Sequence, residues 1–184
     1  MKRIVLAVIG LLVVSAGAEA QSTDQMVQRA LAPLGARQAG GAAVIRWNAD
    51  GSYTTLKEGT NAFVCYDRSG EPGRAAFAVQ CTNTGNLPRL TQNRQFAMQA
   101  AGDRDANSAL VSAAEANGTR VMPEFGSVWI SMNGENQASA GTHTTFAVPN
   151  ATGASLGFPD NGRSGGIWVM AGGTSEAHLM IPQG

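Results

Sequence analysis

Ser155, Asp160 and His178 follow one another in the order of an α/β-hydrolase triad, and Ser155 lies in "GASLG", residues 153 to 157, the G-x-S-x-G spacing of a nucleophile elbow. Such an elbow works through a sharp turn between an incoming strand and an outgoing helix. The turn exposes the serine hydroxyl and aims main-chain N–H groups at the oxyanion. The residues that follow, "FPDNGRSGG", cannot start that helix, and the order of segments does not fit a doubly wound sheet. A serine in a glycine-rich loop is the expectation. A hydrolase acting on envelope or extracellular material stands only as the alternative function.

His143 and His178 are the two histidines, and with Met132, Met170 or Met180 they would supply the imidazole and thioether donors that suit copper. Methionine also fills irregular gaps in cores, and no close H-x-H, H-x-x-M or methionine-rich run provides the spacing of a dedicated site. Strand packing is therefore expected for these side chains, and no metal or other cofactor is assigned. Among the carboxylates, Asp103 and Asp105 fit helix caps, Glu124 follows a proline, and Glu176 adjoins the last turn. A glycosidase would need two of them across a cleft, which spacing does not show.

Trp47, Trp129 and Trp168 each fall in a strand-like segment. If Trp129 and Trp168 turn away from the Val128/Ile130 and Ile167/Val169 faces, they join His143 and His178 as a candidate ligand surface. The same rings also fit beneath covering helices. Which side of the closing segment "GGIWVMAGGTSEAHLMIPQG" meets solvent decides between the two readings. A five-residue loop there would pair Met170 with Glu176 and set Trp168 directly opposite His178.

The elements that must position these residues begin after a leader-like segment. Lys2 and Arg3 precede an apolar run from Ile4 to Ala16, and Ala18-Glu19-Ala20 has the A-x-A form of a cleavage site. This predicts a signal peptide over residues 1–20 and a mature chain from Gln21, with cleavage after Ala18 as the alternative. The run is shorter than the roughly 20 residues of a membrane-spanning helix, so no transmembrane anchor is expected. Export to the periplasm or the exterior is. Removing Lys2, Arg3 and Glu19 leaves 11 basic and 12 acidic residues, a balance that argues against nucleic acid as partner. Cys65 and Cys81, the only cysteines, are expected to form a disulfide in an oxidising compartment.

Along residues 21–184, a single globular domain, the periodicity changes three times. "STDQMVQRALAPL" spaces Met26, Ala30, Leu31 and Leu34 as a short helix that Pro33 ends or bends, and "GARQAGG" reads as a flexible connection. Alternation then marks "AAVIRW" and "SYTTLK" as a hairpin, followed by "AFVCYD" and "AAFAVQC", in which Cys65 and Cys81 share core-facing positions. The alanine-rich "LTQNRQFAMQAAG" and "DRDANSALVSAAEANG" predict two helices, the second capped by Asp103 or Asp105 and stopped at Asn117-Gly118. "SVWISM", "THTTFAVP", "IWVM" and "AHLMIP" return to strands, with a long loop before the last pair. Strands, helices and strands again give an α+β fold, a mainly antiparallel sheet with a short N-terminal helix and a central helical insertion.

The segment "LKEGTNAFVCYD", the second cysteine downstream and the closing "GGIWVMAGGTSEAHLMIP" together resemble a family of uncharacterised secreted bacterial proteins. The resemblance runs from Ala42 onward. Where those proteins often carry an acidic residue soon after the second cysteine, this chain reads Cys81-Thr82-Asn83. With no activity attached to the family, it implies export and transfers no catalytic residue. The expected function is a binding or interaction module of the periplasm or cell exterior, its partner a small molecule or an envelope component.

Overall fold

A computed structural model describes residues 15–181. Most of the expected signal peptide, residues 1–14, lies outside them. The first helix, α1 (Ser15–Ala30), starts ahead of the expected Ser22 and stops before Pro33, where Leu34 N–H turns back onto the Leu31 carbonyl. "GARQAGG" is not a loose connection: it forms a second short helix, α2 (Ala36–Gly41). Gly41 lies close under the later connection: its carbonyl accepts the N–H groups of Thr60 and Asn61, and a Cβ there would meet Asn61 Nδ2 at 2.8 Å.

β1 (Ala43–Trp47) and β2 (Tyr53–Lys57) are an antiparallel hairpin closed at Asn48–Ser52, where Gly51 holds a φ of 81°. The chain then crosses over β1 to run parallel to it as β3 (Phe63–Asp67). The crossover passes so near β1 that a Cβ on Gly59 would meet the Ala43 nitrogen at 2.6 Å, so only glycine fits there. β4 (Phe77–Asn83) returns antiparallel to β3 with Cys65 opposite Cys81, and the two are joined as a disulfide with Cα atoms 4.1 Å apart.

Two helices follow, α3 (Leu87–Gln99) and α4 (Arg104–Ala116). Asp103 caps α4 by accepting the N–H groups of Asp105 and Ala106, and Gly118 beyond Asn117 takes the left-handed conformation that ends it. β5 (Val128–Gly134) and β6 (Gly141–Ala147) extend the sheet. The long loop after them holds a one-turn helix, α5 (Gly153–Leu156), before β7 (Trp168–Met170) and β8 (His178–Met180). Among the described residues these eight strands form one sheet in the order β2-β1-β3-β4-β5-β6-β8-β7, parallel only between β1 and β3. The α+β architecture expected from the segment order is the one observed.

The strand register sorts the side chains onto two faces. On one, α1 and the turn after it lay Val27, Ala30, Leu31 and Leu34 against Val44 and the disulfide, with Phe63 and Ile130 packed around them. On the other, α3 sets Leu87 and Leu90 on Ile45, Val64 and Tyr66, with Trp47 and Trp129 at the border. Thr82 and Asn83, directly after the second cysteine, tie β4 to β5. The Thr82 hydroxyl donates to the Val128 carbonyl at 2.9 Å, and Asn83 Oδ1 accepts the Val128 N–H at 2.8 Å.

The final hairpin departs from its expected register. Trp168 lies opposite Met180, and Met170 opposite His178. The connection is longer than five residues because Ser175 to Ala177 are drawn out of the strand. Ser175 N–H bonds Glu115 Oε1 on α4 at 3.1 Å, and the Thr174 and Ala177 carbonyls accept from Asn150 and Val148. A shift of two residues keeps every side chain on the expected face.

Candidate functional site

The hydrogen bonds of the triad-like residues lead away from one another. Ser155 lies inside α5, where its hydroxyl and N–H form a capping box with Thr152. Asp160 Oδ1 accepts the Gly153 N–H at 2.9 Å, and His178 Nδ1 sits 2.7 Å from the Glu176 carbonyl. A carbonyl only accepts, so Nδ1 carries the proton of the neutral ring and Nε2 is left as an acceptor.

Trp129, Trp168, His143 and His178 do share one face of the sheet, as their pairings with Thr145, Met180, Ser131 and Ala147 show. They do not converge. His143 stands four positions along β6 from Ala147, the residue opposite His178, which places the histidines about 13 Å apart along the strand. Met132 pairs with Thr142 and points to the other face. Met170, opposite His178, and Met180, opposite Trp168, share the histidine face, but His143 and His178 stand too far apart to ligate one ion together. Trp168 is half-buried beside Gly162, whose position a Cβ could not occupy without meeting the indole nitrogen at 2.9 Å.

Trp129 and His178 instead flank a small cleft of about 180 Å³, with Gln80, Arg89, Thr145 and Glu176 in its wall. Behind it lies a polar network that the sequence did not announce. Arg89 Nη1 donates to the Val121 carbonyl at 2.6 Å and to the Ser175 hydroxyl at 3.0 Å. Arg89 Nη2 and Arg120 Nη2 each lie 3.4 Å from the same oxygen, Glu176 Oε1. Arg120 also donates to Gln92 Oε1 at 2.8 Å and Asn93 Oδ1 at 2.6 Å, and its guanidinium lies over the Phe96 ring.

Both guanidiniums are buried, while the Glu176 side chain that bridges them is 54% exposed. Burial and the neighbouring Arg120 charge bring the Arg89 pKa down to about 10, and burial also lowers that of Arg120. Removing a cation from water disfavours its charged form, and a like charge nearby adds to the effect. The Glu115 pKa is lowered too, but for a carboxylate this favours the charged form: hydrogen bonding from Ser175 holds it below the usual range.

On the far side of this bridge, α3, α4 and the 68–74 loop border a larger, half-open cavity of about 600 Å³. Its wall holds five arginines, Arg68, Arg74, Arg94, Arg104 and Arg120. Facing them are three carboxylates, Glu71, Asp103 and Glu176, of which Asp103 is already the cap of α4. Glu71 serves three guanidiniums at once: Arg94 at 2.7 Å, Arg68 at 2.8 Å and Arg74 at 3.7 Å. Two buried polar atoms in the wall residues, Arg120 Nε and Asn107 Oδ1, have no hydrogen-bond partner.

None of these arginines sits in a recognisable motif. The available signal was compositional: eleven of the thirteen basic residues are arginine and two are lysine. Such a bias favours fixed, planar recognition of oxyanions over a solvated basic surface. No family model, curated protein or solved structure matches the chain.

Proposed function

We propose that this chain is an exported, single-domain binding module that holds a small polar molecule beside α3 and α4. The observation that carries the reading is the cavity beside α3 and α4, of a volume typical of small-molecule sites and walled by five arginines against three carboxylates. The leader-like N-terminus, the disulfide and the likeness to secreted bacterial proteins support export. Among the described residues no helix is long and apolar enough to cross a membrane.

The hydrolase alternative needs Ser155, Asp160 and His178 to converge, and each is bonded elsewhere. Thermal unfolding of the purified exported protein against sugars, organic acids, amino acids and nucleotides separates the two. A binding module gives a saturable rise in Tm with at least one solute, retained in Ser155→Ala. Turnover of a chromogenic ester that disappears in Ser155→Ala, or no shift with any solute, overturns the reading. Intact mass of protein taken from the periplasm tests export: the expected chain begins at Gln21, and retention of residues 1–20 refutes cleavage.

A further inference from the structure

We infer that the half-open cavity beside α3, α4 and the 68–74 loop takes a small dianion, a dicarboxylate or a phosphate, on Arg74, Arg94 and Arg104, and that the Glu71 carboxylate competes with it for the first two. The inference rests on the binding-module reading and adds to it the charge of the ligand and an internal competitor.

A guanidinium offers several N–H groups and accepts nothing, so each one on the wall can be followed to its partners. Arg68 is fully engaged: Nε and Nη2 meet Glu71 Oε2 at 2.9 and 2.8 Å, and Nη1 donates to Gln80 at 3.0 Å. Arg94 gives Glu71 one short bond, Nη1 to Oε1 at 2.7 Å, while its guanidinium lies over the Trp47 ring. Its Nε and Nη2 have no protein partner, and with the side chain 27% exposed neither is sealed from solvent. Arg74 is 43% exposed and reaches Glu71 only at 3.7 Å, beyond hydrogen-bond distance. Arg104 is exposed and in no ion pair among the described residues. The unpaired donors therefore lie where a solute can touch them.

Arg120 and Glu176 belong to the bridge with Arg89 and stand behind the cavity. The rest of the wall sets four guanidiniums against Glu71 and Asp103, an excess of two positive charges. Asp103 Oδ1 is already held by two main-chain N–H groups, and Asp105 does not line the cavity. A concave wall of one sign raises the local concentration of the opposite ion, and an excess of two favours a dianion over a monoanion. Two of the cations stand in unfavourable places. Arg104 is in the first turn of α4, where the helix dipole opposes a positive charge. Burial and the neighbouring Arg68 charge lower the Arg74 pKa. A bound anion relieves both.

Glu71 meets the cluster with both oxygens, Oε1 toward Arg94 and Oε2 toward Arg68 and Arg74. Planar guanidiniums take carboxylate and phosphate oxygens in this same way, so a ligand on Arg74 and Arg94 draws on the groups that hold Glu71. Removing the Glu71 charge then strengthens binding. Loss of a residue that only positioned the arginines would weaken it.

Isothermal titration of the exported protein at low salt in Tris buffer with succinate, inorganic phosphate, acetate and glucose tests this. Succinate or phosphate is expected to bind at one site per chain, about tenfold or more tighter than acetate and glucose, and to weaken as sodium chloride is added. The tighter of the two tells a dicarboxylate from a phosphate. Arg74→Gln and Arg104→Gln, both at the surface, should each weaken that anion about tenfold while the thermal unfolding transition persists. Glu71→Gln should tighten it about tenfold. If Glu71→Gln does not fold, Glu71→Asp, whose shorter side chain holds Arg94 less well, supplies the same comparison. Equal binding of acetate or glucose, an unchanged affinity in either arginine variant, or an affinity in the Glu71 variant no higher than the parent's overturns the inference. A neutral solute that raises Tm, with no anion bound by the parent or by the Glu71 variant, overturns the ligand class and leaves the binding module standing; no binding by any solute overturns both.

Discussion

Ser175 is held by Glu115 through two groups, its main-chain N–H and its hydroxyl, so the loop between β7 and β8 is fastened to the middle of the molecule by α4. The same fastening carries Glu176 to the point where it bridges Arg89 and Arg120. A single carboxylate on a helix thereby sets the geometry of the partition between the cleft and the larger cavity.

The Glu115 carboxylate should make folding pH-dependent. Its pKa in the folded protein lies below the ordinary value, chiefly through the Ser175 hydroxyl. The folded state therefore favours the ionised form. The resulting stabilisation is present above the unfolded carboxylate pKa of about 4.3 and disappears as pH falls through the lower folded value. Glu115→Gln should lower Tm at pH 7 by a few degrees, about 1 kcal/mol, and this difference should shrink below pH 4. Unfolding curves from pH 3 to 7 for both proteins check it; a constant gap across that range refutes the assignment.

The disulfide joins directly opposed residues of β3 and β4, both fully buried beneath α1. Its sequence separation of 16 corresponds to roughly 3 kcal/mol in the chain-entropy account. The double variant Cys65→Ala/Cys81→Ala adds a small packing loss and should unfold about 6–12 °C below the parent. Intact mass before and after reduction and alkylation shows whether the bond exists in exported protein, and two free thiols there would contradict the structure.

How far the sequence alone reached follows from which interactions have a period. The alternation in "AFVCYD" and "AAFAVQC" was enough to place Cys65 and Cys81 on one face, because strand side chains alternate strictly. Asp103 and Gly118 were legible as helix ends because each has a local chemical role. The final hairpin was not. Its register depends on Glu115, sixty residues from Ser175, and no local pattern records that bond. The arginine-rich cavity was hidden for the same reason: Arg68, Arg94 and Arg120 come from a loop, a helix and the segment after a helix, and only the tertiary fold brings them together. The crossover from β2 to β3 escaped notice because one glycine in a polar loop does not reveal which strand it passes over.

Asp103 provides a narrow test of local stability. Its side chain satisfies two N–H groups at the start of α4, at 2.8 and 3.0 Å. Asp103→Ala should cost about 1 kcal/mol, whereas Asp103→Asn, which retains an accepting oxygen, should cost a few tenths. Equal losses in urea unfolding of the two variants would place the effect of Asp103 in its charge and not in its capping bond.

Arg89 gives the sharpest contrast between a buried and a surface cation. It is 4% exposed and donates to the Val121 carbonyl and the Ser175 hydroxyl while lying beside Glu176. Arg89→Ala removes the donors from two buried acceptors and leaves a cavity. The expected loss is about 2–4 kcal/mol, from two acceptors left without donors and the cavity left behind. Arg89→Met fills most of the volume without restoring the bonds, so it should recover part of that loss and no more. Arg29 pairs with Asp67 at the surface, so Asp67→Asn should cost no more than about 1 kcal/mol. Urea unfolding of the three variants decides it: if Arg89→Met proves as stable as the parent, the arginine contributes nothing net to folding and its burial must be explained by ligand binding alone.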